Sequence, residues 1–492
     1  MMSKAPILTP FLDDTDVIVY AGDCIEVMSR MPEASVDAIV TDPPYGLEFM
    51  GKDWDSFAQG RSAKYKSGGS LNKTRSVTPK GGTNLPIGPN YTARPAKRCS
   101  KCGKQAWSGS PCKCEHPDWV MDNSPLRAFQ SFSEAWAREA FRVLKPGGHL
   151  LAFAGTRTYH RMASGVEDAG FEIRDCIAWM YGSGFPKSLD VSKAIDKAAG
   201  AEREVVGSIK TNVGIQGGNF TNGSKSADVD VTAPATPDAE KWNGWGTALK
   251  PAYEPIVVAR KPLTGTVAQN VLKHGTGALN IDACRIPHAS GADLAQHAAG
   301  VAAIKARGGT MENSWKNSSD LSGANDVKAS GRWPANVALD ATAAAMLDEQ
   351  SGISQAKDAR TAVKGGNKGA LGAFAGSSPD AIGTWPADPG GGASRFFYTA
   401  KASRQDRNAG GADNTHPTVK PTELMRWLIR LVTPPGGIIL DPFGGSGSTG
   451  LAARAENTRC ILIEREPEYL NIIRQRLSQL SLLSELLDTE QT

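Results

Sequence analysis

The 492-residue sequence has no long hydrophobic run, and no stretch approaches the roughly 18 continuous apolar residues of a membrane span. Its N-terminal stretch, MMSKAPILTPFLDD, lacks the apolar core of a secretory signal. A strong excess of one charge is also missing, since 55 Lys and Arg face 51 Asp and Glu, which neither demands nor excludes a polyanionic partner. These absences predict a cytoplasmic protein with no membrane partner.

Cysteine is scarce as well, and four of the eight cysteines crowd into one short stretch as Cys99, Cys102, Cys112 and Cys114. This C-x2-C…C-x-C pattern indicates a reducing compartment with one metal site rather than a disulfide framework. Zn²⁺ favours four thiolates, so we expect a small structural zinc-binding loop, in which His116 could replace a cysteine. Free surface thiols are the alternative. The basic residues around the cluster could touch a phosphate backbone or simply form a solvated loop.

Strand and helix patterns alternate along both ends of the chain, which predicts an α/β fold. Residues 1–182 contain the strands VIVYAGD, VDAIVTD and HLLAFAG, interrupted at 51–124 by a loop rich in Gly, Ser, Lys, Arg and Pro. Residues 183–415 are rich in Gly, Asn, Ser and Ala, and are either irregular surface loops or a substrate-reading region. Within them, 251–263 still reads as a core strand, after which the region departs from the sheet. Regular alternation returns in 416–492.

A first candidate site follows the apolar strand VDAIVT as Asp42-Pro43-Pro44-Tyr45. Neither proline can donate to a strand ladder, so the strand must end here. Asp42 and Tyr45 are then presented at the carboxyl edge of the sheet, where α/β proteins bind ligands. The alternative is a proline-rich turn without further function.

A second candidate site is the glycine-rich turn after the strand GIILD, with sequence DPFGGSGSTG. Such a turn lets the backbone approach a ligand, and Glu464 at the end of the next strand could accept both hydroxyls of a ribose. Asp441 and Phe443 precede the glycines, which fits neither a phosphate loop nor a dinucleotide fingerprint. The pattern favours binding of a nucleoside cofactor without phosphates. The alternative is that the glycines only form a tight turn between strand and helix.

Together these motifs resemble the S-adenosylmethionine-dependent DNA amino-methyltransferases (adenine-N6 or cytosine-N4) in the permuted order called the β group. DPPY matches their catalytic motif and DPFGGSGSTG their cofactor motif, with the catalytic motif first. VYAGDCIEVM, FRVLKPGGHLLAFAG and HPTVKPTELMRWLI extend the match, which covers about half of the chain and leaves the centre unassigned. The resemblance implies a Rossmann-like methyltransferase sheet with helices on both faces and an irregular inserted DNA-recognition region.

The resemblance also implies roles for the DPPY residues. The Asp42 carboxylate and the Pro43 carbonyl would accept the amino hydrogens of a flipped-out base, whose exocyclic amine is otherwise a poor nucleophile. Pro44 would fix the backbone, and Tyr45 would stack on the base. Whether Asp42 acts as a base or only orients the amine stays open.

Cofactor residues are implied in the same way. Asp23 would approach the adenine of S-adenosylmethionine, Glu464 its ribose, and the segment Lys420-Pro421-Thr422 its methionine end. Asp23 and Thr422 could instead cap the helices that follow them. The full set of expected cofactor residues is Asp23, Lys420, Thr422, Asp441, Phe443, Gly445, Gly447 and Glu464.

The resemblance implies a site-specific DNA methyltransferase that modifies adenine N6, because the catalytic motif begins with Asp. Cytosine-N4 methylation is the alternative, followed by an RNA or protein-amide methyltransferase and a non-catalytic DNA-binding protein. Double-stranded DNA is the expected partner. No partner nuclease is evident in the chain, which favours an orphan or phage-type enzyme, while a restriction–modification system and a homodimer stay open.

Overall fold

The protein is described from a computed structural model that covers residues 8–45, 96–102, 104, 112–122, 124–184, 188–211, 215–216, 219–220, 227–306, 327–352, 360–361, 384–385, 391–400, 414 and 419–489. Most of the predicted 51–124 insertion lies outside these residues, as does 416–418 of the HPTVKP segment. Within them, no helix is both long and apolar enough to cross a membrane.

The described chain alternates between strands and helices at both ends, as predicted. The strands are β1 (Leu12–Asp13), β2 (Val17–Ala21), β3 (Val36–Thr41), β4 (Ala96–Cys99), β5 (Trp119–Asp122), β6 (Leu144–Phe153), β7 (Glu172–Met180), β8 (Val205–Thr211), β9 (Ile215–Gln216), β10 (Asn219–Phe220), β11 (Ala227–Thr232), β12 (Tyr253–Arg260), β13 (Val337–Asp340), β14 (Arg360–Thr361), β15 (Thr384–Trp385), β16 (Tyr398–Ala400), β17 (Ile438–Asp441) and β18 (Arg459–Glu464).

Helices connect these strands and vary from one turn to more than five. The α-helices are Cys24–Ser29, Ser124–Val143, Tyr159–Asp168, Val191–Ala199, Pro237–Lys241, Val267–His274, Gly291–Ala306, Ala341–Ser351, Thr422–Val432, Ser448–Ala455 and Pro467–Thr489, and two short 3₁₀ helices span Asp282–Cys284 and Ala393–Phe396.

One large sheet of ten strands organises the molecule, in the order β1-β2-β18-β17-β3-β6-β12-β7-β13-β16. Neighbours pair in parallel except at β1, which is antiparallel to β2, and at β12, which is antiparallel to both β6 and β7. The strands from the N-terminal and C-terminal parts of the chain alternate here, since β17 and β18 lie between β2 and β3. The two predicted halves therefore form a single α/β sheet.

Helices cover both faces of this sheet because successive strand residues point to opposite sides. In β3, Ala38 and Val40 face one core cluster, which includes the buried face of helix Thr422–Val432. Ile39 faces the other cluster, which includes Trp136 of helix Ser124–Val143. The helices on both faces that the resemblance implies are thus confirmed.

The central region departs from the prediction in one respect. Residues 251–263 do contain a strand of the main sheet, β12, which ends at Arg260 as expected. The chain does not then leave the sheet for good, because β13 and β16 extend its far edge beside β7. These strands are only four and three residues long, too short for a period-2 pattern to reveal them.

The KPGG segment, residues 145–148, belongs to a strand rather than to a separate turn. Helix Ser124–Val143 is followed at once by β6, which begins at Leu144. Gly147 has φ of +78°, and the pairing of β3 with β6 shifts register at this end of the strand. The Pro146 carbonyl accepts from Asn270 Nδ2 at 2.9 Å and Thr276 Oγ1 at 2.6 Å. The irregular start of β6 is therefore stabilised by hydrogen bonds from two side chains that follow later in the sequence, one in a helix and one in a loop.

Candidate functional site

The two predicted motifs meet at one edge of the sheet. β18, β17 and β3 are adjacent and parallel, so Glu464, Asp441 and Asp42 lie at or just beyond three neighbouring carboxyl ends. A hydrogen bond joins the motifs directly, because Thr41 Oγ1 donates to Asp441 Oδ1 at 2.6 Å. Residues 400 positions apart in the chain thus form one cleft edge.

Asp441 fixes the start of the glycine-rich turn from inside the protein. It is buried, and its carboxylate accepts from Thr41, from Thr449 Oγ1 at 2.5 Å and from the Phe443 backbone N–H at 3.0 Å. Burial raises the pKa of Asp441 to about 6, although these three donors act to lower it. The side chain therefore holds the turn in shape.

The turn itself brings glycine backbone close to Glu464. Gly445 and Gly447 have φ of +51° and +82°, a region that favours glycine, and a Cβ on Gly447 would meet Ile473 at 3.2 Å. The Gly445 N–H donates to Glu464 Oε2 at 2.7 Å. Arg476, which is fully buried, supports the turn by donating to Ser446 Oγ at 3.0 Å.

Glu464 is the predicted ribose residue, and its environment suits an acceptor. Its Oε1 accepts from the backbone N–H groups of Arg465 and Glu466, both at 2.8 Å, and Oε2 accepts from Gly445. Each carboxylate oxygen has two lone pairs, so Oε2 retains capacity for a ribose hydroxyl. Burial raises the pKa of Glu464 to about 7 against these donors. A glycine-lined turn with one buried carboxylate fits a nucleoside such as that of S-adenosylmethionine.

Phe443 stands beside this turn and is held by aromatic neighbours. Its ring meets Trp136 edge-on at a centroid distance of 5.6 Å and lies 6.2 Å from Phe132. Both neighbours belong to helix Ser124–Val143, on the face of the sheet that this helix covers. The half-buried Phe443 ring is thus held in place beside the glycine-rich turn.

Two further predicted cofactor residues, Asp23 and Thr422, have different local roles. Asp23 caps helix Cys24–Ser29, since its Oδ1 accepts from the backbone N–H groups of Ile25 at 3.0 Å and Glu26 at 3.3 Å. The neighbouring Gly22 N–H donates to the Glu464 carbonyl at 2.9 Å, so Asp23 lies next to the ribose residue. Thr422 does not cap its helix: it is the first helical residue, and Pro421 occupies the cap position without a side-chain bond.

The catalytic motif is built around the Asp42 carboxylate. Tyr45 Oη donates to Asp42 Oδ1 at 2.7 Å, and Lys420 Nζ donates to Asp42 Oδ2 at 2.7 Å. The Tyr45 carbonyl accepts from Thr158 Oγ1 at 2.8 Å, which anchors the end of the motif. Lys420, expected at the methionine end of the cofactor, therefore contacts the predicted catalytic residue Asp42.

A second carboxylate, Glu254, completes this cluster. Its Oε2 lies 3.1 Å from Tyr45 Oη and 3.3 Å from Lys420 Nζ. Burial disfavours the Lys420 ammonium, but Asp42 and Glu254 outweigh it and raise the pKa of Lys420. Burial and the same two carboxylates raise the pKa of the Tyr45 hydroxyl well above its usual range. The lysine therefore stays charged and the tyrosine stays a donor.

The four clustered cysteines converge as predicted. Their Sγ atoms all lie within 4.8 Å of one another, with 3.8 Å between Cys99 and Cys114 and 3.4 Å between Cys102 and Cys112. A tetrahedral zinc site with Zn–S bonds of about 2.3 Å needs sulfurs about 3.8 Å apart, so the cluster fits a zinc ion. Antiparallel pairing of β4 with β5 brings the two halves of the loop together, and His116 is exposed beside it.

Sequence reasoning missed Glu254, Trp136 and Arg476. Glu254 lies within the pattern of a core strand, and only the direction of that strand decides at which edge of the sheet Glu254 lies. A charged residue within the apolar strand pattern YEPIVVAR is the signal that the sequence offers. Trp136 and Arg476 lie on helix faces whose partners only the folded sheet defines.

A family model and several relatives match this chain. The family model N6_N4_Mtase, described as DNA methylase, matches residues 36–475. The type II methyltransferase M.HindIII of Haemophilus influenzae is 24% identical over 265 residues, which is 53% of this chain and 64% of that protein. M2.DpnII of Streptococcus pneumoniae, also a type II methyltransferase, is 50% identical over 62 residues, which is 13% of this chain and 23% of that protein. The chain thus spans less than two thirds of the length of these relatives.

Among solved structures, the PvuII DNA methyltransferase (cytosine-N4-specific) aligns over 95% of this chain and 88% of its own, with 12% identity and a TM-score of 0.37. A score this low does not establish a shared fold. The family model is stronger evidence, because its match over residues 36–475 includes both motifs and the sequence between them. The chain therefore belongs to the N6/N4 DNA methylase family.

Proposed function

We propose that this protein transfers a methyl group from S-adenosylmethionine to the exocyclic N6 amine of adenine in double-stranded DNA. The observation that supports this most is the convergence of Asp42, Asp441 and Glu464 on adjacent strands in a chain of the DNA methylase family. Asp as the first residue of the catalytic motif favours adenine. Several relatives are named type II methyltransferases, which supports DNA as the substrate.

S-adenosylmethionine, when bound, supplies an electrophilic methyl group. Glu464 would hold its ribose, the backbone of Gly445 and Gly447 would allow its close approach, and Phe443 would line its adenine. Asp23 would contribute from the neighbouring strand end. This part of the site lies beside Asp42 but uses different residues, so cofactor binding and catalysis should be separable by mutation.

The remaining chemistry concerns the amine, whose lone pair is conjugated into the base. Hydrogen-bond acceptors that favour a pyramidal nitrogen make that lone pair available in the transition state. Asp42 and the Pro43 carbonyl supply such acceptors, Pro44 fixes the backbone, and Tyr45 would stack on the base, which must first leave the duplex. Lys420 and Tyr45 already donate to both Asp42 oxygens, which favours orientation of the amine over proton removal by Asp42.

The decisive experiment incubates the purified protein with S-adenosylmethionine and unmethylated DNA, then identifies modified nucleosides by mass spectrometry. N6-methyladenine is the expected product. N4-methylcytosine would keep the mechanism and replace the base. No methylated nucleoside from a protein that binds the cofactor would refute the proposal and direct the search to RNA or protein amides.

We also propose that Cys99, Cys102, Cys112 and Cys114 bind one structural zinc ion. Their four Sγ atoms lie within 4.8 Å of one another, close enough to bind one ion together. All four ligands come from protein, so the site has no open position for catalysis. Metal analysis of the purified protein should find about one zinc per chain, and finding none would refute the site.

A further inference from the structure

Both oxygens of the Asp42 carboxylate already accept one hydrogen bond in the observed arrangement, which leaves each oxygen one lone pair for a substrate amine. Oδ1 accepts the Tyr45 hydroxyl at 2.7 Å, and Oδ2 accepts the Lys420 ammonium at 2.7 Å. Lys420 is buried and charged, so it will not readily leave its partner. An amine hydrogen that binds Oδ1 must therefore share this oxygen with the Tyr45 hydroxyl, which makes Oδ1 a weaker acceptor.

Glu254 offers that hydroxyl a second acceptor. Its Oε2 lies 3.1 Å from Tyr45 Oη, only 0.4 Å farther than Asp42 Oδ1 (3.1 against 2.7 Å). A phenol has one proton and can serve only one acceptor well at a time. Rotation about the phenolic C–O bond would move this proton from Asp42 to Glu254 without displacing any heavy atom.

The direction of β12 explains why Glu254 is available here. β12 is antiparallel to β6 and β7, so its N-terminal end lies at the edge where its parallel neighbours end. Glu254 pairs with Trp179 near the end of β7, and the Glu254 side chain is 22% exposed. A parallel strand at this place would have presented Arg260 at the catalytic edge instead.

Charge favours the same arrangement. Two carboxylates and one ammonium leave the cluster with a net negative charge next to the amine. Methyl transfer places positive charge on the amine nitrogen before its proton is lost, and fixed negative charge stabilises that transition state. Glu254 supplies this second negative charge without contacting the amine itself.

We propose that Glu254 is a positioning residue of the methyl-transfer site: it takes over the Tyr45 hydroxyl, and helps hold Lys420, when the target amine binds Asp42. This inference rests on the proposed methyl transfer to a base amine. It assigns Glu254 a role through Tyr45 rather than direct contact with substrate or cofactor.

The test compares Glu254→Gln, Tyr45→Phe and the double variant. Glu254→Gln should lower kcat about 10- to 100-fold, the usual scale for a hydrogen bond to a charged group, and leave S-adenosylmethionine affinity unchanged by calorimetry. In the Tyr45→Phe background, which has no hydroxyl to relocate, the same substitution should cost much less. Glu172→Gln is the matched control, because Glu172 pairs with Arg260 at the opposite end of β12 and should not affect kcat.

A binding readout separates positioning from a structural defect. Once the methylated position is mapped, DNA carrying adenine there is compared with DNA carrying unsubstituted purine, which lacks the exocyclic amine. The wild-type protein should prefer adenine, and Glu254→Gln should reduce that preference. If both proteins preferred adenine equally, the role of Glu254 would be overturned and the proposed function would stand. The same holds if the losses in kcat from Glu254→Gln and Tyr45→Phe add fully in the double variant. A wild-type protein that methylates no base amine would overturn both.

Discussion

Replacing Lys420 by Met should destabilise the protein measurably, because it leaves two carboxylates, Asp42 and Glu254, without the ammonium group that they share. Lys420 is 6% exposed, and its Nζ lies 2.7 Å from Asp42 Oδ2 and 3.3 Å from Glu254 Oε2. Breaking a buried ion pair on one side costs about 3–5 kcal/mol. The two carboxylates keep 19% and 22% exposure, which screens part of their repulsion, so we expect a loss of about 2–3 kcal/mol.

The pH dependence of that loss identifies its cause. Without the ammonium, the pKa of one carboxyl should rise above its unfolded value. The folded variant then binds more protons than the unfolded chain, so the free energy of unfolding increases as pH falls. The cost of Lys420→Met relative to wild type should therefore be largest near pH 8 and should shrink by at least about 1 kcal/mol near pH 5.

Urea unfolding followed by tryptophan fluorescence at both pH values measures this, provided the slope with denaturant is unchanged. Lys328→Met is the matched control: Lys328 pairs with Asp282, but their side chains are 45% and 58% exposed. Lys328→Met should lower the free energy of unfolding by no more than about 1 kcal/mol at either pH. Adding Glu254→Gln to Lys420→Met should restore part of the lost stability. A loss below about 1 kcal/mol, or one independent of pH, would refute the buried cluster as described.

Three further predictions concern the rest of the site. Asp42→Ala should reduce methyl transfer at least about a hundredfold and preserve S-adenosylmethionine binding, and loss of both in a folded protein would contradict the division of the site. Replacing Cys99 and Cys102 by Ser should release about one zinc per chain, whereas Cys176→Ser should retain it, which metal analysis would decide. Because burial raises the pKa of Glu464 to about 7, its ionised form is lost as pH falls, so calorimetric affinity for S-adenosylmethionine should decline below pH 7. Glu464→Gln should bind more weakly and show little of this dependence, and an equal decline in both proteins would exclude Glu464 as its origin.

Local sequence was enough to place the two motifs at the ends of strands. Apolar alternation before Asp42, and two prolines after it, predicted where β3 ends, which the structure bears out. The glycine-rich turn and Glu464 likewise followed from adjacent residues, and cysteine spacing predicted the converging thiols. These features depend on a few neighbouring residues, whose conformational preferences act whatever the rest of the chain does.

Tertiary structure alone decided which of these ends meet, and what charges surround them. Glu254 reaches Tyr45 and Lys420 only because β12 runs opposite to its neighbours, and Lys420 reaches Asp42 across 378 residues of sequence. The short strands β13 and β16 join the sheet through partners rather than through their own pattern. Strand order and direction arise from backbone hydrogen bonds and burial between distant segments, so no local periodicity encodes them.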